Sequence, residues 1–252
     1  MRWAETLPEG SPAKSLHLPL FHFLTTSLNY EDTFLVADLA RGMRIAGVIE
    51  RTNVLVDRPR PARIAHSEWL RPIPSRNKKN SERTQRAQGT RLARECWERT
   101  LEEVQRGWAS TPEPVTDHSM ETLPLTPRFA REEQHGSNNA KIRMVDDFRA
   151  SGVKGLAASM DTDVPDTLDS ALSIASLFEE PQPGVELQAF AADFRHAYKN
   201  IPIATDQQDY AAILLPPPSG PPMMARIRTQ HSLSALRGGR LIGHAPQRSY
   251  GG

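Results

Sequence analysis

The segment from Phe190 to Ile203 holds the side chains best suited to chemistry. Asp193 ends an apolar run that is typical of a strand, and Tyr198 follows five residues later. A carboxylate at the end of a buried strand is unfavourable unless it is paired or binds a cation. Its oxygens suit Mg²⁺, which shares its remaining positions with water and substrate phosphates. A helix-capping aspartate would give the same pattern, so the residue types leave both interpretations open.

Cationic residues are concentrated in two blocks, although the formal net charge is only +1. Residues 71–94 contain eight lysines and arginines and one acid, and from residue 226 onward there are five arginines and no acid. Such blocks can attract phosphate backbones. The alternative for the first block is a solvated, partly disordered linker, because Pro72, Pro74 and the polar run 75–80 favour a break in regular structure.

The elements that must position these residues indicate an α+β protein. Helices are predicted at 88–108 and 165–180 from apolar residues at helical spacing, whereas 109–140, with four prolines, is expected to be rich in loops. Four strands are expected to form one antiparallel sheet: 141–148, 185–194, 210–215 and 223–229.

The first predicted helix is amphipathic. Five of its residues are expected to form the face that packs on a core: Ala93, Trp97, Leu101, Val104 and Trp108. Trp97 and Trp108 are therefore interpreted as packing residues rather than as a stacking platform for nucleic-acid bases.

Composition argues against several classes of protein. Cys96 is the only cysteine, which excludes an intrachain disulfide and argues against a cysteine-based zinc site. No apolar run approaches the roughly 18 residues of a membrane span. The N-terminus is a poor secretory signal, so we expect an intracellular protein, nuclear or cytoplasmic. No nucleophile elbow, phosphate-binding glycine loop or two-histidine zinc spacing supports an unrelated small enzyme.

Two segments resemble, in the correct order, the reverse transcriptases of retroelements. The sequence Asp193-Phe-Arg-His-Ala-Tyr-Lys-Asn-Ile-Pro-Ile203 is similar to the first palm motif of that family. The sequence from Lys141 to Arg149 resembles the preceding fingers motif, and the stretches 123–129 and 133–136 resemble the start of the fingers. The resemblance, best over residues 94–230, implies a partial fingers and palm of an RNA-directed DNA polymerase.

The resemblance implies roles for five residues. Asp193 would bind the catalytic Mg²⁺, together with the backbone carbonyl of Phe194, and Tyr198 would screen the sugar 2′ position. Arg143, with Lys141, would neutralise the triphosphate of an incoming dNTP. This agrees with nucleotidyl transfer in general, in which metal ions stabilise the attacking and leaving oxygens while basic groups hold the phosphates.

Three positions around the fingers motif have further interpretations. Arg143 could instead form a surface salt bridge with Asp146 or Asp147, and Asp147 itself is expected to be structural. Lys154 stands near the position at which many relatives have an asparagine, which departs from the family pattern for nucleotide positioning.

The sequence also departs from the family after its first palm motif. Polymerase palms need a second acidic element, typically Tyr-x-Asp-Asp, and no acid occurs after Gln230. Read one frame over, codons for residues 231–237 can encode Leu-Pro-Leu-Gly-Ser-Pro, which resembles the motif expected next, so a frameshift near Gln230 is one hypothesis. We therefore expect a C-terminally truncated polymerase fragment that is inactive by itself and binds Mg²⁺ weakly.

Three regions are expected along the chain. Residues 1–80 form a poorly defined N-terminal region, 81–230 the partial fingers and palm, and 231–252 a disordered basic tail of Arg, Gly and Ser. By resemblance, the partners are an RNA or DNA template-primer and dNTP, with no membrane. The alternative function is a non-catalytic nucleic-acid-binding remnant that uses the basic segment 71–94 for phosphate contacts.

Overall fold

A computed structural model describes residues 16–135, 139–161, 199 and 201–229 of the chain. The α-helices of these residues are α1 (Leu18–Ser27), α2 (Leu35–Arg41), α3 (His66–Leu70), α4 (Ile73–Ala87), α5 (Arg91–Gln105) and α6 (Asp117–Thr122), and short 3-10 helices cover Val153–Gly155 and Thr205–Ala211. The strands are β1 (Gly47–Ile49), β2 (Glu113–Pro114), β3 (Thr126–His135), β4 (Asn139–Asp146), β5 (Ala157–Ser159), β6 (Ala212–Leu215) and β7 (Met223–Arg226). The helix predicted at 165–180, the strand predicted at 185–194 and the tail 231–252 lie outside the described residues.

Five of these strands form a mixed sheet in the order β2-β7-β6-β3-β4. Three of its four strand pairs are antiparallel, but β3 and β6 run parallel, with Thr126 opposite Ile213. β1 and β5 form a separate parallel pair. The α+β class is confirmed at this level, whereas the prediction of a purely antiparallel sheet is wrong, because it did not include β3.

The hairpin of β3 and β4 explains both the success and the failure of the strand predictions. The strand predicted at 141–148 is confirmed as β4. The loop expected over 109–140 is wrong for its last part, since β3 pairs with β4 from Arg128 opposite Asp146 to His135 opposite Asn139. Charged side chains on both faces of the outer half of β3 hide the alternation by which a half-buried strand is recognised.

The linker predicted at the start of the basic segment is wrong, because residues 73–87 form α4. A proline in the first turn of a helix loses no hydrogen bond there, so Pro74 marks the start of α4 and not a break. The buried face of α4 is polar. Asn77 donates to the carbonyls of Met120 and Leu123 at 2.8 and 2.7 Å, and Asn80 donates to that of Leu125 at 2.9 Å. Helical periodicity of apolar residues was therefore absent from the sequence.

The helix predicted at 88–108 is confirmed as α5, but its buried face is rotated from the predicted one. Its fully buried residues are Ala93, Cys96, Thr100 and Glu103. Leu101, expected in the core, is 37% exposed. The rotation brings Thr100 and Glu103 against a buried arginine of β3, which is described below.

The largest of three buried clusters joins helices to the sheet. Trp69 of α3, Ile73 of α4 and Cys96 of α5 belong to the same core cluster as Ile213 of β6 and Ala225 of β7. Position 80, predicted to separate the N-terminal region from the polymerase-like region, lies inside α4.

A smaller cluster joins α1 and α2 to the segment 201–204. Leu18 and Leu39 are buried in it, and Ile201 packs against it. The backbone reinforces this contact, because the Met43 amide donates to the Pro202 carbonyl at 2.8 Å and the Ala204 amide donates to the Met43 carbonyl at 3.1 Å. The N-terminal helices therefore pack against the end of the segment that resembles the palm motif.

Candidate functional site

The outward side of the β3–β4 hairpin carries both described residues to which the resemblance assigns a role. Ile142 and Met144 of β4 pack against the core, and successive side chains of a strand point to opposite faces, so Lys141 and Arg143 lie on the other face. Three cross-strand pairs make up this surface, called the hairpin face below: Phe129 with Val145, Arg131 with Arg143, and Glu133 with Lys141.

Arg143 forms an ion pair on the hairpin face. Its Nε lies 2.6 Å from Oε2 of Glu133, and the two side chains are 52% and 37% exposed. The alternative interpretation predicted a surface salt bridge with Asp146 or Asp147, and it named the wrong acid. Both aspartates pair with other arginines. Within the described part of the chain, Lys141 has no ion-pair partner.

The base of the hairpin face is held by α4. Nη1 of Arg83 lies 3.0 Å from Oδ2 of Asp147, and its guanidinium carbon is 5.2 Å from the centroid of the Phe129 ring. Asp147 therefore has the structural part expected of it. Lys154 is exposed after a turn that begins at Gly152, whose φ of 78° requires a residue without a β-carbon.

A buried ion network lies behind the hairpin face. Arg128 of β3 is fully buried and binds Asp146 through two hydrogen bonds, from Nε at 2.6 Å and from Nη2 at 2.9 Å. Its Nη1 donates to Oε2 of Glu103 on α5 at 2.6 Å and to Oγ1 of Thr100 at 3.2 Å. A buried charge is tolerated when it is paired and its hydrogen-bonding groups are satisfied, and this geometry meets both conditions.

Lys199 extends the same network to the palm-like segment. Its Nζ lies 2.8 Å from Oε1 of Glu103, the oxygen that Arg128 does not use, and 4.7 Å from the ring centroid of Trp108. Trp97 packs partly buried against the core. Arg106 also lies near the Trp108 ring, 4.9 Å from its centroid, so the ring contacts two cations.

The electrostatics of the network favour charged side chains. Burial by itself lowers the pKa of the Arg128 guanidinium, but the charges of Asp146 and Glu103 and their hydrogen bonds outweigh it and raise the pKa above its ordinary value. Arg128 is therefore permanently cationic. The neighbouring Cys96 thiol behaves in the opposite way, since burial raises its pKa to about 12.

A cavity of about 170 Å³ lies between α4 and β3, beside the base of the hairpin face. Its lining includes Thr84, Ala87 and Phe129, and the buried Thr84 hydroxyl has no hydrogen-bond partner in the described structure. Two arginines line the cavity, Arg83 and Arg128, and each is already paired with an acid. The hairpin face, not the cavity, presents the cations that a phosphate group requires.

The other three site residues suggested by the resemblance, Asp193, Phe194 and Tyr198, lie outside the described residues. The described ranges contain no cluster of three or more potential metal-ligating side chains. Nor do they contain a helix that is long and apolar enough to cross a membrane.

A scan against protein-family models finds no match to the chain. A search of curated proteins finds none either.

Sequence reasoning missed the residues of the buried network, Arg128, Glu103 and Lys199. One signal was present, since Arg128 stands between Pro127 and Phe129 in an otherwise uncharged stretch that begins at Leu123. An arginine in such surroundings has to find a buried acid. Which acid it finds could not be read from spacing, because Glu103 is 25 positions away in another element.

Proposed function

We propose that this chain is part of a reverse-transcriptase-like nucleotidyltransferase whose β3–β4 hairpin holds the triphosphate of an incoming nucleotide. One observation carries the proposal. The buried network joins Arg128 from the start of the fingers, Asp146 from the fingers motif and Lys199 from the palm motif, with Glu103 between them. Segments that resemble successive parts of one active centre should meet in space, and in an unrelated protein nothing would require it.

The network also suggests how the site would be assembled. Lys199 belongs to the segment that resembles the palm motif, and its ion pair with Glu103 would tie that segment to the network. Lys141 and Arg143 are exposed on the hairpin and available to phosphate oxygens. Guanidinium groups recognise phosphate through paired, charge-assisted hydrogen bonds, which makes Arg143 the stronger contact.

The metal chemistry is proposed in a limited form. Asp193 with the Phe194 carbonyl would contribute to holding Mg²⁺, which neutralises phosphate charge when it is bound. The 252 residues contain no Tyr-x-Asp-Asp sequence. We therefore propose that they supply nucleotide contacts and one acidic metal ligand rather than a complete active centre, and that the chain alone gives no primer extension.

Equilibrium binding of dTTP in the presence of Mg²⁺ tests the proposal. The variant Lys141→Gln/Arg143→Gln should bind at least roughly tenfold more weakly than the wild type, because two charge-assisted contacts are removed. The matched control is Lys78→Gln/Arg86→Gln, which removes the same charge from exposed positions of α4 and should bind normally. Equal binding by both variants, or no binding by the wild type, would contradict the proposal.

The second candidate function is nucleic-acid binding through residues 71–94. Among the residues that the structure describes, only some of the cations in this segment are left without a protein partner for contacts with phosphate. Four of the eight cations have protein partners: Arg76, Arg83, Arg86 and Arg91. The other four have no ion-pair partner within the described ranges: Arg71, Lys78, Lys79 and Arg94. Lys78 and Lys79 lie on the exposed side of α4, opposite its buried asparagines.

The same pair of variants separates the two functions. If α4 binds a nucleic-acid backbone, affinity for a single-stranded oligonucleotide should fall steeply with salt and should be reduced in Lys78→Gln/Arg86→Gln. The hairpin variant should then bind the oligonucleotide as the wild type does. Salt-insensitive binding, or none, would exclude this second function.

A further inference from the structure

Two arginines face each other across the β3–β4 hairpin. Arg131 of β3 is directly opposite Arg143 of β4, and both side chains are exposed. Side chains in directly opposed positions have β-carbons roughly 5 Å apart, and like charges placed there destabilise the pair of strands. An anion bound between the two guanidinium groups would remove this repulsion.

Glu133 compensates for part of this charge. It is the one acid among the six residues of the hairpin face, and it pairs with Arg143 rather than with Lys141, which lies directly opposite it. The face therefore holds three cations and one acid, a net charge of 3 − 1 = +2. Within the described residues, Arg131 has no ion-pair partner.

The ion pair between Glu133 and Arg143 is weak enough to be displaced. Both side chains are substantially exposed, at 37% and 52%, and exposed pairs of this kind contribute little to stability. A polyphosphate offers Arg143 more negative charge than a single carboxylate does. A polyphosphate also has enough oxygens to reach Arg131 and Lys141 at the same time, whereas Glu133 pairs only with Arg143 among the described residues.

We propose that Arg131 is a further phosphate-contacting residue, forming with Arg143 a two-arginine clamp for the triphosphate, and that Glu133 competes with the triphosphate for Arg143. This inference rests on the proposed function of the hairpin. It adds a residue that the motif resemblance did not assign, and it gives Glu133 an inhibitory part. The clamp suits a compact polyphosphate, because its charge is concentrated in one cross-strand pair and the adjacent Lys141, whereas α4 spreads its cations along a helix.

Inorganic tripolyphosphate is the probe, with binding to the full chain measured by titration calorimetry at low salt. Arg131→Gln should weaken binding by roughly tenfold, as expected for the loss of a charge-assisted contact. Glu133→Gln should tighten it by about two- to fivefold, because a competing pair of small net value is removed. Arg86→Gln is the matched control, since this exposed arginine also has a glutamate neighbour, Glu82, and its loss should leave affinity unchanged.

Thermal unfolding shows that the variants are folded and adds an independent readout. Without ligand, Arg131→Gln should be at least as stable as the wild type, because a like-charge pair has been removed. Tripolyphosphate should raise the melting temperature of the wild type more than that of Arg131→Gln.

The outcomes distinguish the inference from the function on which it rests. If Arg131→Gln binds tripolyphosphate as the wild type does, while Lys141→Gln/Arg143→Gln does not, the clamp is refuted and the proposed function stands. If the wild type binds neither tripolyphosphate nor dTTP, both fall. If Arg131→Gln loses affinity for an oligothymidylate but not for tripolyphosphate, the hairpin binds a strand and the clamp is refuted. If Glu133→Gln binds tripolyphosphate with unchanged affinity, Glu133 does not compete with the triphosphate for Arg143.

Discussion

Removing Arg128 should destabilise the protein more than removing an exposed arginine does. The substitution Arg128→Met keeps much of the side-chain volume but takes the cation from Asp146 and Glu103, whose side chains are 0% and 4% exposed. Removing one partner of a buried ion pair typically costs about 3–5 kcal/mol. With a urea m-value of about 2 kcal/mol per molar, the unfolding midpoint should fall by about 2 M.

Two comparison variants give this prediction its scale. Lys199→Met removes only the outer contact of the network, and Glu103 keeps Arg128, so a loss of about 1 kcal/mol is expected for this 24% exposed side chain. Arg143→Met is the exposed control, with an expected loss of about 0–1 kcal/mol. The order of destabilisation should therefore be Arg128→Met first, Lys199→Met second and Arg143→Met last.

A third variant tests the physical reason. The triple variant Glu103→Leu/Arg128→Met/Asp146→Leu removes all three buried charges of the described network and leaves Lys199, which is partly exposed. It should recover most of the stability lost in Arg128→Met, since apolar groups often replace a buried ion network without loss.

Urea unfolding followed by tryptophan fluorescence and circular dichroism measures all four variants. If the free energies of unfolding of Arg128→Met and Arg143→Met lie within about 1 kcal/mol of each other, Arg128 is not the buried centre of a network. The observation that carries the proposed function would then be lost as well.

Two further predictions concern backbone fit and the single cysteine. Gly42→Ala should destabilise the protein by more than Gly89→Ala in the same urea assay. Both positions have positive φ, which costs about 1–3 kcal/mol, but only at Gly42 would a β-carbon meet backbone, 2.5 Å from the carbonyl carbon of Ile203. Equal effects would show that segment 201–204 does not contact α2 as described. Cys96 should resist iodoacetamide until urea unfolds the chain. The free energy of unfolding should fall as the pH rises from about 8.5 towards 12. In this range the thiol of the unfolded chain has lost its proton, while burial keeps the thiol of the folded protein protonated. Rapid alkylation of the native protein would contradict this burial.

Local patterns were sufficient for some elements and not for others. α5 and β4 were predictable because their apolar residues repeat with the period of a helix and of a strand. α4 was not, because its buried face consists largely of asparagine and threonine, and the two asparagines bind backbone groups of a distant segment. β3 was not, because its outer half carries charges on both faces. The parallel pairing of β3 with β6 joins residues far apart in the chain, and no local pattern specifies it.

The candidate site divides in the same way. By itself, the sequence supplied candidate residues, since the resemblance to reverse transcriptases predicts contacts with phosphate, metal or sugar for Lys141, Arg143, Asp193 and Tyr198. Only the tertiary structure decided the partners. Arg143 pairs with Glu133, and Arg131 faces Arg143 across the hairpin. Lys199, in the segment that resembles the palm motif, is tied through Glu103 to Arg128 of β3. The physical reason is that charge and hydrogen-bonding capacity belong to single residues, whereas pairing, burial and strand register depend on which segments the fold brings together.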